Sequence, residues 1–165
     1  MKIFGVIGWK NSGKTGLVER LVAEISARGY TVSTVKHAHH SFDIDHPGRD
    51  SYRHRDAGAR EVLLTSRNRW ALMHEIKDTQ EIPLDELLKK LSPVDLVLIE
   101  GFKRDSHAKI ECHRSATGNG LLAHDDDTIV AVAADVTVEA SQPLLELDDT
   151  NGIANFVLQH TGLTK

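Results

Sequence analysis

The chain has 165 residues, 40% hydrophobic and 27% charged, a balance that suits one soluble globular domain with a core of its own. Lys and Arg total 20 against 24 Asp and Glu, and the formal net charge of -4 argues against a general nucleic-acid binder. Cys112 is the single cysteine, so an intrachain disulfide is excluded, and no apolar run approaches the roughly 18 residues of a spanning helix. Met1-Lys2-Ile3-Phe4 leads into a motif and lacks the charged n-region of a secretory leader, so a cytoplasmic protein is expected.

Ile3 to Ile7 is an apolar run ending at Gly8 and predicts a buried strand. Lys14 to Arg28 places Leu17, Val18, Leu21, Val22 and Ile25 on one stripe of a helix, which Gly29 stops. Thr31 to Lys36 is β-branched and alternating, a second strand. His37 to Arg49 is polar, rich in histidine and broken by Pro47-Gly48, which predicts a loop. Asp50 to Ala57 reads as a short helix with Asp50 as its N-cap. Glu61 to Ser66 and Trp70 to Glu75 read as strands, and Pro83 to Leu91 as a helix with proline in its first turn. Val94 to Ile99, Ala108 to His113 and Ile129 to Ala134 are further strands, and Asn151 to His160 is a closing helix. Strands alternating with helices predict a single α/β domain over residues 1–165. Its mainly parallel sheet carries helices on both faces.

The strongest motif is Gly8-Trp9-Lys10-Asn11-Ser12-Gly13-Lys14-Thr15, which fits G-x-x-x-x-G-K-[ST] between a predicted strand and a predicted helix. Gly8 and Gly13 permit backbone angles that other residues resist, so the loop through Asn11 and Ser12 can turn its N–H groups toward phosphate oxygens. Lys14 is placed to reach the β- and γ-phosphates, and the Thr15 hydroxyl to ligate the Mg²⁺ between them. Lys10 reads as a solvated loop lysine in preference to a second phosphate contact. Trp9 within the loop has two readings, a cover for the nucleotide or a partner contact.

Val94-Asp95-Leu96-Val97-Leu98-Ile99-Glu100-Gly101 is the second signal. Glu100 emerges at the carboxyl end of an aliphatic strand, where open α/β sheets bind ligands. A carboxylate there supports Mg²⁺ or polarises an attacking water. Asp95, at the opposite end, reads as structural. The His-rich loop follows the second strand's carboxyl end. Asp50 is a candidate to complete the Mg²⁺ shell, in competition with Asp43 and Asp45. His37 and His39 have the spacing of a metal pair, but no further clean ligand pair closes a tetrahedral site, and a substrate or partner contact is the preferred reading. Arg49, Arg53, His54 and Arg55 read either as an anion-binding group or as a solvated helix face. Cys112 and His113 are neighbours in a strand and point to opposite faces, so Cys112 reads as a buried structural thiol.

With these residues in hand, the chain resembles the molybdopterin-guanine dinucleotide biosynthesis protein B family of P-loop GTP-binding proteins. The likeness covers most of the chain. It rests on Gly8 to Thr15, Lys36-His37 with His39-His40, Asp43 to Ser51, Ala57-Gly58-Ala59 and Glu100-Gly101-Phe102-Lys103. It implies a homodimer that binds GTP, hydrolyses it slowly with Mg²⁺, and assists the guanylyltransferase that joins GMP to molybdopterin. Molybdopterin itself is a further candidate ligand. By the same resemblance Gly13, Lys14 and Thr15 bind phosphate and Glu100 supports Mg²⁺, with Asp50 as a second acid. Glu100 and Lys14 are then the catalytic candidates. The guanine-reading tetrapeptide N-K-x-D does not occur. Asp135, after the strand ending Ala133-Ala134, is positioned to accept from guanine N1 and N2, and otherwise is an ordinary loop carboxylate. Two other readings stand beside this one: a small kinase acting on a metabolite, and a structural adaptor without hydrolysis.

Overall fold

In the computed structural model, residues 1–38, 43–76 and 80–164 are described. Their contacts group into two compact units, one built from residues 1–37 and 88–165, the other from residues 38–87. The first unit holds a six-stranded sheet in the order β2-β5-β1-β6-β7-β8. Its strands are Lys2–Gly8 (β1), Val32–Lys36 (β2), Leu96–Glu100 (β5), Lys109–His113 (β6), Ile129–Ala134 (β7) and Leu144–Glu146 (β8). Every pairing between them is parallel, as the buried aliphatic runs predict.

Because side chains alternate across a strand, β1 and β7 feed two cores. Phe4, Val6, Leu96, Leu98, Ile110, Ala131 and Ala133 pack with Leu17, Leu21 and Ile25 of the helix Lys14–Ala27 (α1) and with Ile153 and Val157 of Thr150–Thr161 (α4). On the opposite face Ile7, Ile129 and Val132 pack with Ala123, which lies in the 3₁₀ turn Leu122–His124. Gly29 follows α1 at φ 86° and donates to the Ser26 carbonyl at 2.9 Å, the predicted helix stop.

The second unit contains Asp50–Asp56 (α2) and the antiparallel pair Glu61–Thr65 (β3) and Trp70–His74 (β4), a sheet separate from the first. Arg55 holds this unit together. Its guanidinium donates to Asp43 at 2.7 Å, to Asp45 at 2.6 Å and to Glu75 at 2.8 Å. Arg55 is therefore an internal ion-pair centre, not part of a solvated helix face. Two expectations are corrected here. Asp50 is the first helical residue of α2 and Arg49 is the N-cap, because Arg49 still has extended angles (φ -78°, ψ 153°). The helix expected over Pro83 to Leu91 is shorter, Leu84–Leu88 (α3). The short strand β8 has no counterpart in the expected elements.

Candidate functional site

Because the sheet is parallel, the carboxyl ends of β1, β5 and β7 lie along one edge. The loop after β1 has three positive φ angles: 147° at Gly8, 65° at Asn11 and 96° at Gly13. A Cβ on Gly8 would sit 2.4 Å from the Cys112 carbonyl oxygen and 2.5 Å from Ser12 Oγ, so the close approach to β6 requires glycine there. Ser12 N donates to the Trp9 carbonyl at 3.2 Å, and Lys14 Nζ donates to the same oxygen at 2.7 Å. α1 then starts at Lys14 without a side-chain cap and without an acidic residue in its first turn, leaving its positive end bare. Ser12 Oγ is buried with no hydrogen-bond partner among the described residues. An orphaned donor inside a loop of this shape fits a phosphate oxygen.

Register brings the second group to this loop. β5 lies between β1 and β2, so Glu100 stands opposite Val6 on one side and Lys36 on the other. Thr15 Oγ1 donates to Glu100 Oε1 at 2.8 Å. Lys36 Nζ lies 3.2 Å from the same carboxylate oxygen and 3.3 Å from Thr15 Oγ1. A hydroxyl and a buried carboxylate thus converge on one ammonium ion. That oxygen pair is the donor set Mg²⁺ prefers, and the ammonium shows that the position accepts a cation.

Gly101 and Phe102 continue past Glu100 with φ of 93° and 50°. A Cβ on Gly101 would approach His37 Cβ to 3.0 Å, and the His37 ring stacks on Phe102 with centroids 4.6 Å apart. The turn then delivers Lys103 Nζ to 4.7 Å from the centroid of the Trp9 ring. Burial depresses the Lys103 pKa, and Lys14 depresses it further. The Trp9 indole is fixed from its other edge by a 2.8 Å hydrogen bond to the Gly120 carbonyl.

Asp135 follows β7 at the same sheet edge. Ser115 donates to it through N at 2.8 Å and through Oγ at 3.3 Å, and Arg114 Nη1 lies 4.0 Å away. The Ser115 amide is the main force holding its carboxyl below the usual range, with the Ser115 hydroxyl and Arg114 adding to it. Asp135 also lines a hollow of about 360 Å³ with Ala134, Val136, Thr137 and Leu144 to Glu146. The Arg114 guanidinium reaches toward the phosphate loop, its Nη2 lying 3.5 Å from where a Gly13 Cβ would stand.

The family model for molybdopterin guanine dinucleotide synthesis protein B, MobB, matches residues 3–135. The chain belongs to this family. It is 40% identical over 156 residues to the molybdopterin-guanine dinucleotide biosynthesis adapter protein of Escherichia coli (strain K12), covering 92% of this chain and 88% of that protein. The corresponding Haemophilus influenzae adapter protein is 37% identical over 157 residues, 94% of this chain and 86% of its own length. The crystal structure of a MobB protein homolog from Bacillus stearothermophilus superposes with a TM-score of 0.74 at 27% identity, covering 99% of this chain and all of that one.

Within this MobB-family chain the candidate residues fall into groups. Gly8, Asn11, Ser12, Gly13, Lys14 and Thr15 form the loop, and Glu100 stands at its flank. Asp135 stands on the hollow beside β8. Asp50 lies in the other unit, at the start of α2, while Asp43 and Asp45 there bind Arg55. His39, His40 and Phe42 lie outside the described residues. Asp95 accepts from Thr31 N and Oγ1, both at 2.7 Å, a structural role as expected. Cys112 is buried, and burial pushes its thiol up to about 12, which leaves it protonated and unreactive at neutral pH. Sequence reasoning missed Lys36, Lys103 and Ser115 as site residues. Lys36 ends a strand and Lys103 ends the Glu100-Gly101-Phe102 turn, so only the strand order reveals what they face.

Proposed function

We propose that this chain is a GTP-binding adapter in molybdopterin-guanine dinucleotide biosynthesis, acting as a homodimer on the guanylyltransferase and turning over GTP slowly. The observation that carries the reading is the Thr15–Glu100 hydrogen bond beside a loop whose Ser12 hydroxyl has no partner among the described residues. The adapter names of the Escherichia coli and Haemophilus influenzae relatives support the pathway.

In this reading the amides from Gly8 to Gly13, with Asn11 and Ser12, cradle the phosphates, and Lys14 exchanges its Trp9 carbonyl for β- and γ-phosphate oxygens. Thr15 and Glu100 would hold Mg²⁺, which would neutralise phosphate charge. Asp135 accepts from guanine N1 and N2. In hydrolysis the oxygen of a water polarised by Glu100 bonds to the γ-phosphorus. The bond to the bridging oxygen breaks, its electron pair stays on GDP, and the water's proton leaves with the inorganic phosphate.

The test is reconstitution of the purified guanylyltransferase with molybdopterin and Mg-GTP. Dinucleotide formation is expected to rise when this protein is added. Glu100→Gln should keep nucleotide affinity but lower GTP hydrolysis by about 10²-fold, the usual worth of a positioned base. No stimulation by the parent protein contradicts the adapter reading, and an undiminished rate removes Glu100 from hydrolysis.

A further inference from the structure

Two lysines crowd one end of the phosphate loop. Lys14 comes from α1 and Lys103 from the turn after β5, and both reach Trp9: Lys14 Nζ donates to its carbonyl at 2.7 Å and Lys103 Nζ lies 4.7 Å from its ring centroid. Among the described residues neither ammonium has a carboxylate within ion-pair distance. The nearby acid, Glu111, is committed elsewhere: its two oxygens accept from Leu122 N and Ala123 N, both at 2.9 Å. Lys36 is different, because Glu100 already balances it.

Two half-buried ammonium ions without a counter-ion repel each other, and an anion between them removes the repulsion. The alternative partner that Lys103 holds is the face of Trp9, a residue of the phosphate loop itself. A cation on an aromatic face is held by a weak, non-directional attraction that a phosphate oxygen outcompetes. The indole is anchored to Gly120 and cannot follow the lysine away.

We infer that Lys103 is a ligand for the terminal phosphate of a bound nucleoside triphosphate, parked on the Trp9 ring until that phosphate arrives. The inference rests on the nucleotide-binding reading of the loop and adds a residue to it. Lys14 serves diphosphate and triphosphate alike, whereas Lys103 separates them. Departure of the ammonium from the indole face makes Trp9 a reporter of the γ-phosphate.

The chain has two tryptophans, and Trp70 is exposed, so Trp70→Phe leaves Trp9 as the only indole. In that background GDP and a non-hydrolysable GTP analogue are titrated with Mg²⁺, following Trp9 emission and, separately, heat of binding. The triphosphate should change the emission more than the diphosphate, because Lys14 leaves the Trp9 carbonyl with either nucleotide but Lys103 leaves the ring only with the triphosphate. Lys103→Met should abolish the difference and weaken the triphosphate about tenfold or more, the worth of a charge-assisted contact, with GDP affinity held within about twofold. Lys103→Arg should restore part of the preference. Equal emission changes with both nucleotides, or equal affinity losses for both in Lys103→Met, overturn the inference while leaving the loop as a nucleotide site. Absence of binding of either nucleotide to the Trp70→Phe parent overturns both. If Lys103→Met does not fold, the emission comparison on the parent still decides.

Discussion

The hydroxyl of Thr15 donates to the carboxylate of Glu100 at 2.8 Å, joining the first turn of α1 to the end of β5 across 85 residues of chain. This bond exists because β5 runs parallel to β1 and ends opposite Val6, two residues before β1 does. Lys36, at the end of β2, closes the group from the far side. Three neighbouring strands thus bring a hydroxyl, a carboxylate and an ammonium to one point.

The ammonium of Lys36 stands where a divalent ion bridging Thr15 and Glu100 would compete for the same oxygens. Lys36→Met removes that competitor. The Mg²⁺ concentration for half-maximal GTP hydrolysis should fall about three- to tenfold, as expected for deleting one exposed charge. A rise in the Mg²⁺ requirement would show that Lys36 instead supports the ion.

Asp135 is oriented by two Ser115 donors and is one of the residues lining the hollow beside β8. Asp135→Asn replaces one acceptor with a donor. GTP affinity should drop about 10- to 100-fold, the cost of losing a charged hydrogen-bond partner, while xanthosine triphosphate, whose 2-oxo group accepts, should gain. Competition binding with the two nucleotides measures this. Unchanged preference would place the base elsewhere.

His107 supplies a pH dependence unrelated to nucleotide. Both ring nitrogens are buried without partners among the described residues, and the ring packs against Gly5, where a Cβ would stand 2.6 Å from Nε2. Burial lowers its pKa below 6.5, and the charge of Lys109 lowers it further. The folded state therefore favours neutral His107, and the unfolded chain binds the proton first. The stability it contributes is complete above its unfolded pKa and is lost as pH falls below it. Urea midpoints measured from about pH 7.5 to about pH 5.5 should decline, and the decline should be shallower in His107→Leu. Parallel profiles would contradict this.

Much of this fold was legible because its signals are local. Aliphatic runs at Ile3 to Ile7 and Leu96 to Ile99 mark central strands, and the stripe from Leu17 to Ile25 marks α1. β8 escaped notice because three residues, Leu144–Glu146, are too few for periodicity to show. Arg55 read either as part of an anion-binding group or as a helix-face arginine, because its acceptors Asp43, Asp45 and Glu75 lie 10 to 20 residues away. The phosphate loop announces itself by spacing, whereas Lys36 and Lys103 join it only through strand order.

The central claim is that Gly8 to Thr15 binds a guanine nucleotide, and calorimetric titration of the protein with Mg-GTP and Mg-ATP tests it most directly, with Lys14→Ala run alongside. GTP should bind more tightly than ATP. Lys14→Ala should weaken GTP by about 10- to 100-fold, since it removes a charged contact to the phosphates. Equal binding of the two nucleotides, or full GTP affinity in folded Lys14→Ala, would contradict the account.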